Sequence, residues 1–141
     1  MKIPFVKLQG NGNDFILIDE MKDTLIPDEM KGQFARLFCD RRFGIGGDGV
    51  LVLLPSDSCD IRMRLIQPDE SEAEMCGNGI RCLVCYAYEA GYVEEECNVD
   101  TPAGTYHVTI SPDTYENEYM FRINMTKPEF EREKIPATGS G

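Results

Sequence analysis

The first half of the chain alternates short apolar runs with glycine-rich clusters, a pattern typical of strands joined by tight turns. Strands are predicted at residues 3–8, 15–18 and 50–54, and the last two are apolar at every position. Such continuous runs indicate strands buried on both faces. Residues 60–67 alternate instead, with two arginines opposite the apolar side chains, which indicates a half-exposed strand.

A first helix is predicted to open at Pro27, because the missing N–H of proline is harmless at a helix start. Met30, Phe34, Leu37 and Phe38 then recur at helical spacing. They form a single apolar stripe of the kind that faces a core.

A second helix is predicted over residues 79–90, with Gly91 as its C-terminal stop. Its side chains are apolar in almost every direction, so we expect a buried helix through the middle of the domain. Strands near 97–101, 105–110 and 118–125 read as an antiparallel meander. The predicted fold class is α+β, with a mixed, mostly antiparallel sheet curled into a barrel around a central helix.

Composition narrows the range of functions. The 141 residues are 42% hydrophobic and 28% charged, which is ordinary for a globular protein. The net charge of −11 and the absence of a basic cluster beyond Arg41–Arg42 argue against binding to nucleic acid. No apolar run reaches the roughly 18 residues that a membrane helix needs.

The N-terminus lacks the apolar segment of a secretory signal, so we expect a cytoplasmic protein with reduced thiols. Cys82 and Cys85 form a C-x-x-C pair, but no second pair or nearby histidine completes a metal site. We interpret both as core cysteines and expect neither a metal nor a cofactor. His107, the only histidine, is interpreted as a solvated strand residue. Cys39 ends the first helix and is interpreted as packed, whereas Cys59 and Cys97 lie near turns and are interpreted as incidental.

The segment with the sharpest chemical signal contains Cys76, which lies at or just before the start of the second helix. Free N–H groups and the positive end of the helix dipole meet there, and both stabilise a thiolate. Backbone amides of Gly77, Asn78 and Gly79 are placed to hold a small anion such as a carboxylate. From spacing alone, a buried and inert cysteine before a tight turn fits equally well.

Four stretches resemble the N-terminal half of diaminopimelate epimerases: residues 10–15, 41–49, 72–82 and 101–104. They occur in order within the first 125 residues, and the Met-Cys-Gly-Asn-Gly run is the specific one. Relatives of the proline racemase type usually have histidine where Asn78 stands.

The resemblance implies a cofactor-independent stereoinversion of LL-diaminopimelate to the meso form, a step of lysine synthesis, by two cysteines on opposite faces of the substrate. Cys76 matches the thiolate that removes the α-proton, and Gly77 and Asn78 match the amides that bind the reacting α-carboxylate. Asn13 matches an asparagine that contacts the far end of the substrate. Gln67 replaces an asparagine that helps to hold the amino end.

Other features of the resemblance concern the loops and the length. Glu70 stands where the family has glycine, Asn11 is interpreted as a turn residue, and Asp48 is interpreted as structural. We expect residues 1–125 to form an N-terminal epimerase domain and 126–141 to be a linker or tail. The second cysteine would lie in a C-terminal domain, and the complete protein would be a homodimer.

The isolated chain is therefore expected to be inactive alone. Two alternatives stay open at this point. One is an amino-acid racemase of the proline racemase type, and the other is a non-catalytic binding domain of the same fold.

Overall fold

The computed structural model describes residues 3–10, 12–74, 76–112 and 119–125, with side chains described up to residue 110. The elements in chain order are β1 (Val6–Gly10), β2 (Asn13–Asp19), α1 (Asp28–Phe38), β3 (Gly49–Leu54), β4 (Ile61–Ile66), β5 (Glu72–Ala73), α2 (Gly77–Glu89), β6 (Glu96–Thr101), β7 (Gly104–Pro112) and β8 (Tyr119–Met125). Asn11 and the expected tail at 126–141 lie outside the described residues.

The strands form one curled sheet in the order β1-β2-β3-β4-β6-β7-β8, with β5 paired to β4. The pairs β2–β3 and β4–β6 are parallel, and the other five pairs are antiparallel. The sheet is a half-barrel with α2 against its inner face. The predicted fold class is confirmed.

Strands β2 and β3 are buried on both faces, as their continuous apolar runs predict. Alternate side chains of β2, Phe15 and Leu17, belong to the core around α2. The intervening side chains, Ile16 and Ile18, belong to a second core beneath α1. Because side chains alternate along a strand, one apolar run supplies both cores.

Helix α2 ends in a pattern of hydrogen bonds that requires glycine. Gly91 has φ +86°, the left-handed conformation that glycine adopts without steric cost. Its N–H donates to the Tyr88 carbonyl at 3.1 Å, and the Tyr92 N–H donates to the Ala87 carbonyl at 2.9 Å. These two bonds make a Schellman cap and confirm the predicted stop.

The burial of α2 is less complete than its composition predicts. One side is covered by the sheet, whereas Tyr86 and Tyr88 are half-buried and Arg81 and Glu89 are exposed. The half-barrel covers only part of the circumference of the helix.

Helix α1 contradicts the predicted direction of its apolar stripe. Met30, Leu37 and Phe38 are 48%, 47% and 39% exposed. The residues that face the sheet are Lys31 and Ala35, followed by Cys39 at the helix end. Phe34, the fourth residue of the stripe, is half-buried against the same core. The inward face is thus rotated by one residue, or about 100°.

The reason for this rotation is a buried ion pair. The Lys31 ammonium lies 3.2 Å from a Glu20 carboxylate oxygen, and the two side chains are 4% and 1% exposed. Lys31 also donates to the Ile26 carbonyl at 2.6 Å. The ion pair between Lys31 and Glu20 sets the orientation of α1, and the periodicity of hydropathy cannot predict such a pair.

Among the described residues, no helix is long and apolar enough to cross a membrane.

Candidate active site

Cys76 is the N-cap residue of α2, as its position in the sequence predicts. Its backbone is extended, with φ −149° and ψ 116°, and the Gly79 N–H donates to its sulfur at 3.4 Å. The residue is half-buried. The sulfur therefore lies at the positive end of a 13-residue helix, where negative charge is stabilised.

Gly79 fits this arrangement because it has no side chain. A Cβ built there would lie 3.2 Å from Leu51 Cδ2 and 3.4 Å from Cys76 Cβ. The sequence assigns the Gly79 amide to a bound anion, together with the amides of Gly77 and Asn78. The structure directs the Gly79 N–H at the cysteine sulfur instead.

Burial raises the pKa of four other thiols. Desolvation raises the pKa of Cys39, Cys82 and Cys97 to about 11, because a buried thiolate loses its hydration. Burial also raises the pKa of Cys85. The interpretation of Cys39 and Cys82 as core residues is confirmed, whereas Cys97 lies in the core strand β6 and is more than incidental.

Asn13 and Asn78 meet across the fold although 65 positions separate them. Asn78 is the second residue of α2, and its Nδ2 donates to Asn13 Oδ1 at 2.6 Å. Asn13 is the first residue of β2. Three of the four residues predicted to bind substrate, Asn13, Gly77 and Asn78, are thus brought together beside Cys76.

A carboxylate network lies on the far side of Asn13. Asp48 Oδ2 accepts hydrogen bonds from Asn13 Nδ2 at 3.2 Å and from the Asp14 N–H at 2.9 Å. Arg41 donates from its two Nη atoms to both Asp14 oxygens at 3.0 and 2.8 Å, and from Nη2 to Asp48 Oδ1 at 3.2 Å. The Arg41 guanidinium is the main reason that the pKa of Asp14 lies well below its usual range.

Gln67 is the remaining predicted substrate residue, and its described hydrogen bonds stay within the turn between β4 and β5. Its Nε2 donates to Ser71 Oγ at 3.2 Å, and its backbone N–H donates to the Ser71 carbonyl at 2.7 Å. Since Val50 pairs with Ile66, Gln67 follows β4 at the sheet end where Asp48 precedes β3.

The turn that carries Gln67 departs from ordinary backbone geometry at Glu70. Its φ of +74° is the one positive value at a non-glycine residue among those described. This is the position where a side chain replaces the expected glycine. The Glu70 carboxylate accepts a hydrogen bond from Arg36 Nε at 2.6 Å, which ties the turn to α1.

The site also shows what sequence reasoning missed. Asp48 was interpreted only as structural, yet it touches a predicted substrate residue directly. The glycine-rich loop at 43–49 marks Asp48 as a residue to consider, but nothing in the sequence of that loop identifies Asn13 as its partner. Pairing between residues 35 positions apart depends on the sheet register.

Other candidate features lie away from this site. A polar cavity of about 730 Å³ is lined by Glu20, Lys31, Arg62 and Arg64 among others, and does not include Cys76. Within the described parts of the chain, no group of three or more potential metal ligands is close enough to hold an ion. His107 pairs through Nδ1 with Asn98 Oδ1 at 2.9 Å on the neighbouring strand.

Comparison with known proteins identifies the family of this chain. A family model described as Diaminopimelate epimerase matches residues 5–131. A diaminopimelate epimerase from Methanothrix thermoacetophila is 54% identical over 140 residues, covering 99% of this chain and 50% of the relative. A second, from Archaeoglobus fulgidus, is 46% identical over 137 residues, covering 97% of this chain and 48% of the relative.

A solved structure gives the same fold at low identity. The phenazine biosynthesis protein of the PhzF family from Bacillus anthracis has a TM-score of 0.64 and 20% identity, covering 86% of this chain and 38% of that one. The chain belongs to the diaminopimelate epimerase family. It spans about half the length of the curated relatives that it matches.

Proposed function

We propose that this chain is the N-terminal half of a diaminopimelate epimerase and carries one of its two reacting thiols. The observation that carries the proposal is Cys76 at the N-cap of α2, with its sulfur accepting the Gly79 N–H. Residues 1–125 are then the domain, and 126–141 lead towards a C-terminal domain. The complete protein acts in the cytoplasm, as a homodimer and without a cofactor.

The reaction is an exchange of one proton for another at the same carbon. The Cys76 thiolate removes the α-proton of LL-diaminopimelate and becomes a thiol, leaving a carbanion. A second thiol, contributed by the C-terminal domain, delivers its proton to the opposite face and becomes a thiolate. The product is the meso form, and no electron acceptor is required.

The helix start supplies what a carbanion next to a carboxylate needs. Negative charge develops on the substrate as the proton leaves, and preorganised N–H donors lower the energy of that state. The amides of Gly77 and Asn78 lie in the first turn of α2, where N–H groups point out of the helix. We assign the α-carboxylate to them.

The asparagine pair and the β4–β5 turn supply the rest of this half of the site. Asn13 is held against Asn78 and is assigned to the far end of the substrate. Gln67 is assigned to the amino end, and its Nε2 donates to Ser71 Oγ at 3.2 Å. The residues of this half of the site are half-buried: Asn13, Cys76, Gly77 and Asn78. We expect a second domain to cover them and complete the cleft.

The test uses the protein translated from the complete reading frame that contains this chain, called here the complete protein. Incubation with LL-diaminopimelate in D₂O should give the meso product with deuterium at the inverted carbon. Cys76→Ala should lower kcat by roughly 10²–10⁴-fold. The matched control is Cys59→Ser, which changes a half-buried thiol in the turn before β4.

Two results would contradict the proposal. The first is a Cys76→Ala protein that epimerises as fast as the parent. The second is a complete protein that folds and leaves diaminopimelate unchanged. The 141-residue chain alone should not epimerise, because the opposing acid is missing.

A further inference from the structure

We propose that Asp48 is a positioning residue, whose carboxylate fixes the direction in which the Asn13 carboxamide faces the substrate. The inference rests on the proposed function for its effect on catalysis. Its structural part does not depend on the reaction and starts from three contacts: Asn13 with Asp48, Asn13 with Asn78, and Asp48 with Arg41.

An asparagine side chain has two nearly isosteric orientations, and its neighbours decide between them. An ionised carboxylate can only accept hydrogen bonds, so Asp48 Oδ2 requires the NH₂ group of Asn13 on its side. Asn13 Oδ1 then faces Asn78 Nδ2, at 2.6 Å. If the amide were flipped, Asn13 Oδ1 would face the Asp48 carboxylate, acceptor against acceptor. Asn13 Nδ2 would then face Asn78 Nδ2, donor against donor.

Asp48 is itself held from several directions. Its backbone N–H donates to the Asp14 carbonyl at 2.7 Å, and its Oδ2 accepts the Asp14 N–H at 2.9 Å. Arg41 Nη2 holds its Oδ1 at 3.2 Å. Arg41 is in turn fixed by both oxygens of Asp14, which also lies 3.3 Å from Lys7 Nζ.

As a consequence, the Asn13 carboxamide has a single orientation, with Nδ2 towards Asp48 and Oδ1 towards Asn78. Asn13 keeps one N–H and one lone pair for a ligand, and both point where Asp48 and Asn78 set them. Without Asp48, the amide can rotate, and part of the binding energy is spent on ordering it. The acidic residue of the glycine-rich loop therefore acts on substrate through Asn13.

A double-mutant cycle in the complete protein tests this pathway. Asp48→Ala should raise KM about tenfold, the order expected for losing a hydrogen bond to a charged group, with a smaller change in kcat. The double variant Asn13→Ala/Asp48→Ala should match Asn13→Ala within about twofold, because the proposal has Asp48 act on the substrate through Asn13. Multiplicative losses in the double variant would overturn the proposal.

Two further variants separate positioning from a general structural role. Asp48→Asn should keep KM within about threefold of the parent. Its amide oxygen can still accept from Asn13, and the contact that its NH₂ group loses is the one with Arg41 Nη2. Asp40→Ala removes another carboxylate that caps the same loop, through the Arg42 and Phe43 N–H groups, and should leave KM unchanged. A KM rise in Asp40→Ala equal to that in Asp48→Ala would mean that the loop fold alone matters.

A spectroscopic readout decides the case independently of activity. In the complete protein labelled with ¹⁵N-asparagine, hydrogen exchange of the Asn13 NH₂ group should speed up at least about tenfold in Asp48→Ala. Unchanged exchange would refute the positioning role. If the parent protein lacks epimerase activity, the proposed function fails, and this measurement still decides the role of Asp48. Asp48→Ser, whose side chain is too short to reach Asn13, serves if Asp48→Ala does not fold.

Discussion

Thiol alkylation tests the expected difference in reactivity between Cys76 and the core cysteines Cys39, Cys82 and Cys97. The perturbation is iodoacetamide added to the folded complete protein at pH 8 without substrate, in a Cys59→Ser background. The reagent consumes thiolates, so its rate follows the thiolate fraction and the access to each sulfur. Peptide mapping by mass spectrometry gives a rate for each cysteine.

The expected contrast follows from the pKa values. Burial raises the pKa of Cys39, Cys82 and Cys97 to about 11, so only about one molecule in a thousand carries a thiolate there at pH 8. An ordinary free thiol is roughly a quarter ionised at that pH. Each core cysteine should therefore react at least ~200-fold more slowly than a free thiol, before access is considered.

Cys76 should react fastest of the four, because its sulfur is half-buried and lies at the start of a helix. Raising the pH from 8 to 10 should increase the thiolate fraction of the core cysteines about a hundredfold, since their pKa lies above that range. The same protein in denaturant, where all thiols react alike, is the control. A core cysteine labelled as fast as Cys76 in the folded protein would refute the reasoning.

Two stability measurements test features that the sequence alone did not reveal. Lys31→Met should lower the free energy of unfolding by about 3–5 kcal/mol in urea titration, because the Glu20 carboxylate, 1% exposed, loses its cationic partner and keeps only the Leu25 and Ile26 N–H donors. Lys22→Met, at an exposed lysine, should cost less than ~0.5 kcal/mol, and a similar loss in both variants would contradict this account. Glu70→Gly should be more stable than Glu70→Ala by about 1 kcal/mol, since only glycine relaxes at φ +74°. Equal stability of those two variants would show that this backbone conformation carries no strain.

Local pattern was sufficient for much of the fold. The apolar runs of β2 and β3, the alternation of β4 and the capping glycine at position 91 each encode their own element. Periodicity also located α1 but failed to orient it. Three of the four apolar residues of the stripe on α1 are exposed, because Lys31 pairs with Glu20 on the inward face.

Part of the candidate site was equally accessible from sequence. Cys76 caps α2 because a glycine-rich segment directly precedes a helix-forming run, and both features are local. The roles of Asp48 and Arg41 were not accessible. No local motif predicts which residue Asp48 or Arg41 contacts, and these contacts form only when β2 and β3 pair in register.

The order of residues thus determined which segments become strands and helices, and which cysteine caps the N-terminus of α2. These depend on interactions within a few positions, such as side-chain periodicity, capping and glycine conformation. The tertiary structure alone decided which way α1 faces and which carboxylate holds Asn13. Those outcomes depend on charges and amides from distant segments meeting at about 3 Å, a geometry that exists only once the sheet has formed.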